Sequence, residues 1–145
     1  MTEAVKTPWH LWVVGGLSLL VNAFPVADFT MTNLQNEFWL SPLTEPQRTF
    51  ILGAPAWANV CWALGGIGAF VGSLLLLLRS RHALTAYLAS IVGLAGSTYY
   101  QHVLNGDTLR QLFENVPVIV TAVIWVIMLG LIFYARAMTA KGVLR

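Results

Sequence analysis

The sequence predicts an all-α integral membrane protein, a four-helix bundle, and three observations lead there. The first is four long apolar runs, near residues 9–27, 55–78, 83–101 and 116–135, which fill more than half of a 145-residue chain. Each has about the 17–25 residues that carry an α-helix across a roughly 30 Å hydrocarbon core. The second is composition: 57% of residues are hydrophobic and 10% are charged, against roughly 25% charged in an average soluble domain. A soluble core at this length has no room for so much apolar surface. The third is how the charges sort. Lys6, Arg79, Arg81, Arg136, Lys141 and Arg145 fall on one side of a four-crossing chain, with only Arg48 and Arg110 on the other. The positive-inside rule then puts both termini in the cytoplasm. Glu3 falls inside. Asp28, Glu37, Glu45, Asp107 and Glu114 fall outside, which leaves the outer face at net −3. The whole chain, 1–145, reads as one membrane domain.

The first run opens after Pro8, which is tolerated in a first helical turn because its missing N–H would be unpaired there anyway. Trp9 and Trp12 sit at the inner interface, where amphipathic rings are favoured. The preceding residues carry one Lys against one Glu and no small-x-small cleavage site follows, so a retained transmembrane helix is expected rather than a signal peptide. Pro25 should kink that helix near its outer end. Met31, Leu34 and Phe38 then recur at helical spacing, predicting a continuation through residues 28–40. Ser41-Pro42-Leu43-Thr44 turns the chain. Thr44 with Gln47 has the form of a capping box, and Pro46 lies in the first turn of the helix it starts. That helix runs through Phe50, Ile51 and Leu52 to Pro55, where a kink leads into the second crossing. Helices 1 and 2 should thus extend beyond the outer face as a short helical hairpin, about residues 28–54.

The second crossing stops at Arg79 and carries Gly65, Gly66, Gly68 and Gly72. The third carries Ala89, Gly93 and Ser97 at four-residue spacing. Small residues so placed let helix backbones approach closely, so Gly65, Gly68, Gly72, Ala89 and Gly93 are the expected contacts to another helix of this chain or of a partner. Asn105-Gly106-Asp107 signals a turn, and residues 108–115 form a short polar segment. The fourth crossing is the most apolar, with Thr121 and Trp125 its only features, and reads as lipid-facing.

Polar groups inside a bilayer are costly and mark the first places to look for function. Here they gather in the outer half. Asn22, Asp28, Asn59, Tyr99 and His102 are the candidate lining of an outward-facing polar pocket between the first three crossings, with Tyr100, Gln101, Glu114, Asn115 and Thr121 nearby. A structural alternative accounts for the same residues: the tyrosines as an aromatic belt, His102 as a helix cap, and Asn22 bonded to Asn59. Other chemistry has little support. His10 and His82 lie near the inner surface and His102 at the outer one, so bis-histidine haem ligation has only an awkward pair available. Asp28, Glu114 and His102 share a depth, but nothing fixes their separation, so no metal site is expected. Cys61 is alone, which excludes a disulfide framework and a thiol oxidoreductase. There is no catalytic triad or phosphate loop, and the net charge of +2 forms no nucleic-acid footprint. A non-enzymatic protein without a cofactor is expected.

Several stretches are also familiar: Thr7-Pro8-Trp9-His10-Leu11-Trp12, Asn22-Ala23-Phe24, Asp28-Phe29-Thr30-Met31, Pro55-Ala56-Trp57, Trp62-Ala63-Leu64-Gly65, Gly72-Ser73-Leu74 and Gly142-Val143-Leu144-Arg145. They resemble a family of short four-helix inner-membrane proteins of proteobacteria, often labelled sugar transporters. Pro25-Val26 stands where that family favours a small residue. The resemblance implies an inner-membrane setting and, weakly, transport. Taken with the small size and the glycine-rich helices, it leads to an accessory or interaction subunit of a larger membrane assembly, with the bilayer and other membrane chains, or further copies of this one, as partners. The alternative is a small oligomeric transporter or solute-binding protein that uses the outer pocket.

Overall fold

A computed structural model describes residues 4–145, and Glu3, expected on the cytoplasmic side, lies outside them. Among the described residues the chain is all-helical, with seven α-helices and one π-helical segment. The first helix, α1 (Trp9–Asn33), starts after an extended Pro8 and runs through Pro25 without ending there. It stops seven residues short of the expected end of its continuation. The N–H groups of Gln35 and Asn36 fold back onto the carbonyls of Thr32 and Met31, and Gln35 takes the left-handed conformation at φ 52°. This is the Schellman arrangement, which satisfies carbonyls a helix end would otherwise leave unpaired. Asn36 then caps a separate four-residue helix, α2 (Glu37–Leu40), by accepting the Trp39 N–H at 3.0 Å. The capping chemistry of Asn36 outweighs the apolar spacing that predicted one helix.

The next helix, α3 (Glu45–Leu52), begins where the capping residues indicate, with the Thr44 N–H donating to Gln47 Oε1 at 3.0 Å. Pro55 separates two helices instead of bending one. It is the extended N-cap of α4 (Ala56–Leu77), and Gly53-Ala54 links it to α3. Proline has no N–H to continue the α3 ladder and disfavours helical geometry in the residue before it. Helix α4 ends by the same Schellman device, with Arg79 at φ 58° and the Arg79 and Ser80 N–H groups bonded to Leu76 and Leu75. After a tight turn, α5 (His82–Thr98) runs directly into the π-helical segment Tyr99–Leu104, followed by α6 (Gly106–Phe113) and α7 (Val116–Ala140). Three helices, α1, α4 and α7, are long and apolar enough to cross a membrane. With 17 residues, α5 falls short alone, and the π segment extends the rod to Leu104.

Helix α4 lies between α1 and α5 and uses adjacent glycines for the two contacts. Residues 65, 68 and 72 meet residues 94, 90 and 87 of α5 in reverse order, so α4 and α5 are antiparallel. Gly66, one residue round the helix, lies under Pro25 of α1; a Cβ there would stand 3.3 Å from the proline Cβ. On the α5 side Gly93 packs against the backbone of Cys61 and Gly65. Ala89 does not join this seam: it is exposed, and Ser90 takes its place, buried and donating to the Gly65 carbonyl at 2.6 Å. The spacing Ala89–Gly93–Ser97 identified small residues on a helix, but the face that α5 turns to α4 is centred one residue further on.

At the end bearing the turn between α4 and α5, the tail completes the core. Val143 and Leu144 are buried beside Leu11, Leu76 and Met138. Arg145 pairs through its backbone with both Arg79 (2.8 Å) and Arg81 (3.0 Å). Gly142 supplies the positive φ that turns the chain inward.

Candidate functional site

At the opposite end, α1, α4 and the π segment diverge, and the short helices α2, α3 and α6 close over the gap. They frame a partly open cavity of about 460 Å³, within the range of roughly 300–1,000 Å³ common for small-molecule sites. Its walls are largely apolar and include six aromatic side chains: Phe24 from α1, Trp39 from α2, Phe50 from α3, Trp62 from α4, Tyr100 from the π segment and Phe113 from α6. Polar groups are few: Asp28, Thr32, Asn59, Ser97 and Gln101.

Local chemistry holds these walls. Trp39 is pinned by its indole N–H, which donates to Asp28 Oδ1 at 2.9 Å, and its ring lies 6.0 Å from that of Phe24. Tyr100 is sandwiched: its ring stacks on Phe50 at 6.4 Å and meets Trp57 edge-on at 5.5 Å. Trp62 meets Phe29 edge-on at 5.2 Å. The roof is tied down by Gln47 Nε2, which donates to the Leu112 carbonyl at 2.8 Å, and by Arg48, which bonds the Leu40 carbonyl and pairs with Glu37 at 3.3 Å. The Arg48–Glu37 pair is exposed at its acidic end and adds little stability. The π turn itself marks a local departure from helical geometry of the sort often found where a helix presents groups to a site.

Of the five residues expected to share a polar pocket, the structure brings two to this cavity, Asp28 and Asn59. Asn59 does not meet Asn22; its Nδ2 donates to the Ala54 carbonyl at 3.3 Å. Asn22 lies deeper, buried between α1 and α4, with Nδ2 donating to Ser73 Oγ at 3.0 Å. Ser73 Oγ in turn shares a hydrogen bond with the Tyr87 hydroxyl at 3.1 Å, so one polar chain links α1, α4 and α5. This is a packing network, because every member is buried. Tyr99 is half exposed on the outside of the π segment, and its neighbour Tyr100 is the one that reaches the cavity. Ser97 lines the cavity and Tyr100 follows three residues later, whereas Tyr99 falls on the far face.

His102 turns to α7. One of its ring nitrogens, Nε2, lies 2.9 Å from Thr121 Oγ1, and four residues earlier Thr98 Oγ1 accepts the Trp125 indole N–H at 3.0 Å. The two polar features of α7, which was expected to face lipid, instead dock it on α5 and the π segment. The signal was present as matched polar pairs, 98/102 and 121/125, each four apart. The carboxylates and histidine considered for a metal are also divided, since His102 and Glu114 line a separate groove away from Asp28. No group of three or more metal-ligating His, Cys, Asp or Glu side chains occurs among the described residues. His10, weighed as a haem ligand, shares a hydrogen bond between Nδ1 and the Tyr134 hydroxyl.

No protein family, curated protein or solved structure matches this chain.

Proposed function

We propose that the chain is a four-crossing inner-membrane protein, both termini cytoplasmic, that binds a small amphipathic molecule in its outer cavity and performs no chemistry on it. The observation that carries this reading is the cavity itself: about 460 Å³ of mostly apolar space, with six aromatic side chains in its walls, to which every helix from α1 to α7 contributes a residue. The remaining polar groups are too few to conduct solute through the bundle, because the deeper Asn22–Ser73–Tyr87 chain is fully packed. The four-crossing topology is supported by the 23-residue rod formed by α5 with its π segment. Its orientation is supported by the backbone pairing that gathers Arg79, Arg81 and Arg145 at one end. The resemblance to small four-helix proteobacterial proteins agrees with that setting.

Ser97→Leu tests the reading. It projects apolar volume into the cavity without disturbing any hydrogen bond of the native side chain. The purified protein in lipid nanodiscs is heated with a panel of amphipathic molecules of up to about 20 heavy atoms. Native protein should be stabilised by some of them, since a ligand that binds only the folded state raises its melting temperature. The Ser97→Leu protein should melt normally and lose that response. A response that survives in Ser97→Leu removes the cavity as the site.

The accessory-subunit reading keeps one observation of its own. A Cβ added at Gly130 of α7 would meet nothing within 4 Å beyond its own helix, and Val123, Val126 and Phe133 nearby are exposed. That face has room for a partner helix. Native electrophoresis of mild-detergent extracts separates the readings: migration as a single chain leaves ligand binding alone.

A further inference from the structure

From the lining of the cavity we infer that its ligand is a protonated amine carried on an apolar body; the inference rests on the binding function proposed above. The charge of the site comes first. Among the described residues Asp28 is the one carboxylic acid in the lining, and no Lys, Arg or His lines the cavity to balance it. The nearest roof cation, Arg48, is already committed to Glu37 and the Leu40 carbonyl. A carboxylate in a largely apolar space is costly unless paired and hydrogen-bonded. Asp28 is only partly supplied: Trp39 donates to Oδ1, and Oδ2 has no hydrogen-bond partner among the described residues.

The hydrogen-bonding balance points the same way. Ser97 Oγ is buried without a partner beside the cavity. Asn59 gives one N–H of its amide to the Ala54 carbonyl, and its amide oxygen has no hydrogen-bond partner among the described residues. Asp28 Oδ2 and the Asn59 amide oxygen can both accept, and an ammonium group brings up to three N–H donors together with the missing charge. The walls suit the rest of such a molecule. Aromatic faces attract cations through their quadrupoles and also bury an apolar body. Outside the cavity, the acidic excess that the proposed topology gives this face would steer cations toward it. A neutral sugar could lie against aromatic walls, but it would leave Asp28 without a countercharge. A divalent metal would find one carboxylate where several oxygen ligands are needed.

The test uses three probes of one shape: 4-phenylbutylammonium, 4-phenylbutanol and 4-phenylbutyrate. Quenching of the native protein's tryptophan fluorescence is followed in phosphatidylcholine nanodiscs, with empty nanodiscs titrated in parallel to subtract partitioning. The ammonium should bind saturably, at least tenfold more tightly than the alcohol, and the carboxylate should bind least. Asp28→Asn should remove the tenfold preference of ammonium over alcohol. Equal affinity of native protein for ammonium and alcohol, or a preference for the carboxylate, overturns the amine inference while the cavity remains a binding site. Saturable binding of none of the three overturns both. The order of the three probes on native protein decides the matter even if Asp28→Asn does not fold.

Discussion

Adding one methyl group at Gly93 should destabilise the protein, although alanine is the better helix former. A Cβ at that position would lie 2.5 Å from the Cys61 carbonyl oxygen and 2.5 Å from the Gly65 nitrogen, with Leu64 Cβ at 2.9 Å. Ordinary contacts begin near 3.4 Å, so α4 and α5 would have to part by about 0.9 Å. The two closest atoms belong to backbone, and no side-chain rotation can move them. The same displacement would strain the Ser90 Oγ to Gly65 carbonyl bond, now 2.6 Å long. Overpacking of this kind costs about 1–3 kcal/mol, and with backbone on both sides the upper end applies. Replacing glycine by alanine in a helix returns roughly 1 kcal/mol, so a net loss of about 2 kcal/mol is expected. Two further substitutions separate this cause from helix propensity. Gly130→Ala meets open space and should be neutral or slightly stabilising. Gly96→Ala meets the Cys61 sulfur, a side-chain atom able to turn away, and should cost less than Gly93→Ala. Unfolding by sodium dodecyl sulfate, followed by tryptophan fluorescence, measures all three in one detergent. If Gly93→Ala proves as stable as Gly130→Ala, the α4–α5 seam does not depend on backbone contact at residue 93.

Asn22→Ala and Ser73→Ala should be coupled in a double-mutant cycle by about 0.6 kcal/mol and at most about 1.7 kcal/mol, as for other hydrogen bonds between membrane helices; additive losses would break the proposed Asn22–Ser73–Tyr87 chain. Removing residues 142–145 takes away the buried Val143 and Leu144 and the backbone pairs to Arg79 and Arg81. At about 1.5–3 kcal/mol for each buried apolar side chain, it should lower stability by about 3 kcal/mol or more, and an unchanged detergent melting temperature would contradict the packed tail. Reporter fusions after Arg145 and within residues 105–112 should report opposite sides of the membrane, with the carboxyl-terminal fusion cytoplasmic; a periplasmic signal from that fusion would reverse the orientation and place the cavity on the cytoplasmic face.

Some features follow from the sequence alone because they are local. The length and apolarity of α1, α4 and α7 are properties of a single segment. The start of α3 is written in Thr44 and Gln47, which bond each other, and in Pro46, whose missing N–H costs nothing in a first turn. Where two local signals competed, as at Asn36 and at Pro55, the cap or the proline prevailed over apolar spacing, and each marks a helix boundary. Periodicity also showed which residues share a helix face. It could not show which face meets which neighbour, because that depends on how each helix is rotated about its axis. Rotation is set by whole-surface packing: Gly93 against Cys61 and Gly65 brings Ser90 inward and turns Ala89 out. The same rotation delivers Thr98 and His102 to α7, and Tyr100 and Ser97 to the cavity. Asp28 and Asn59 could be named from sequence as costly polar groups near a membrane edge. Their association with Trp39, Trp62 and Tyr100 could not, because a cavity is the volume that several helices jointly leave unfilled, and no single segment encodes it.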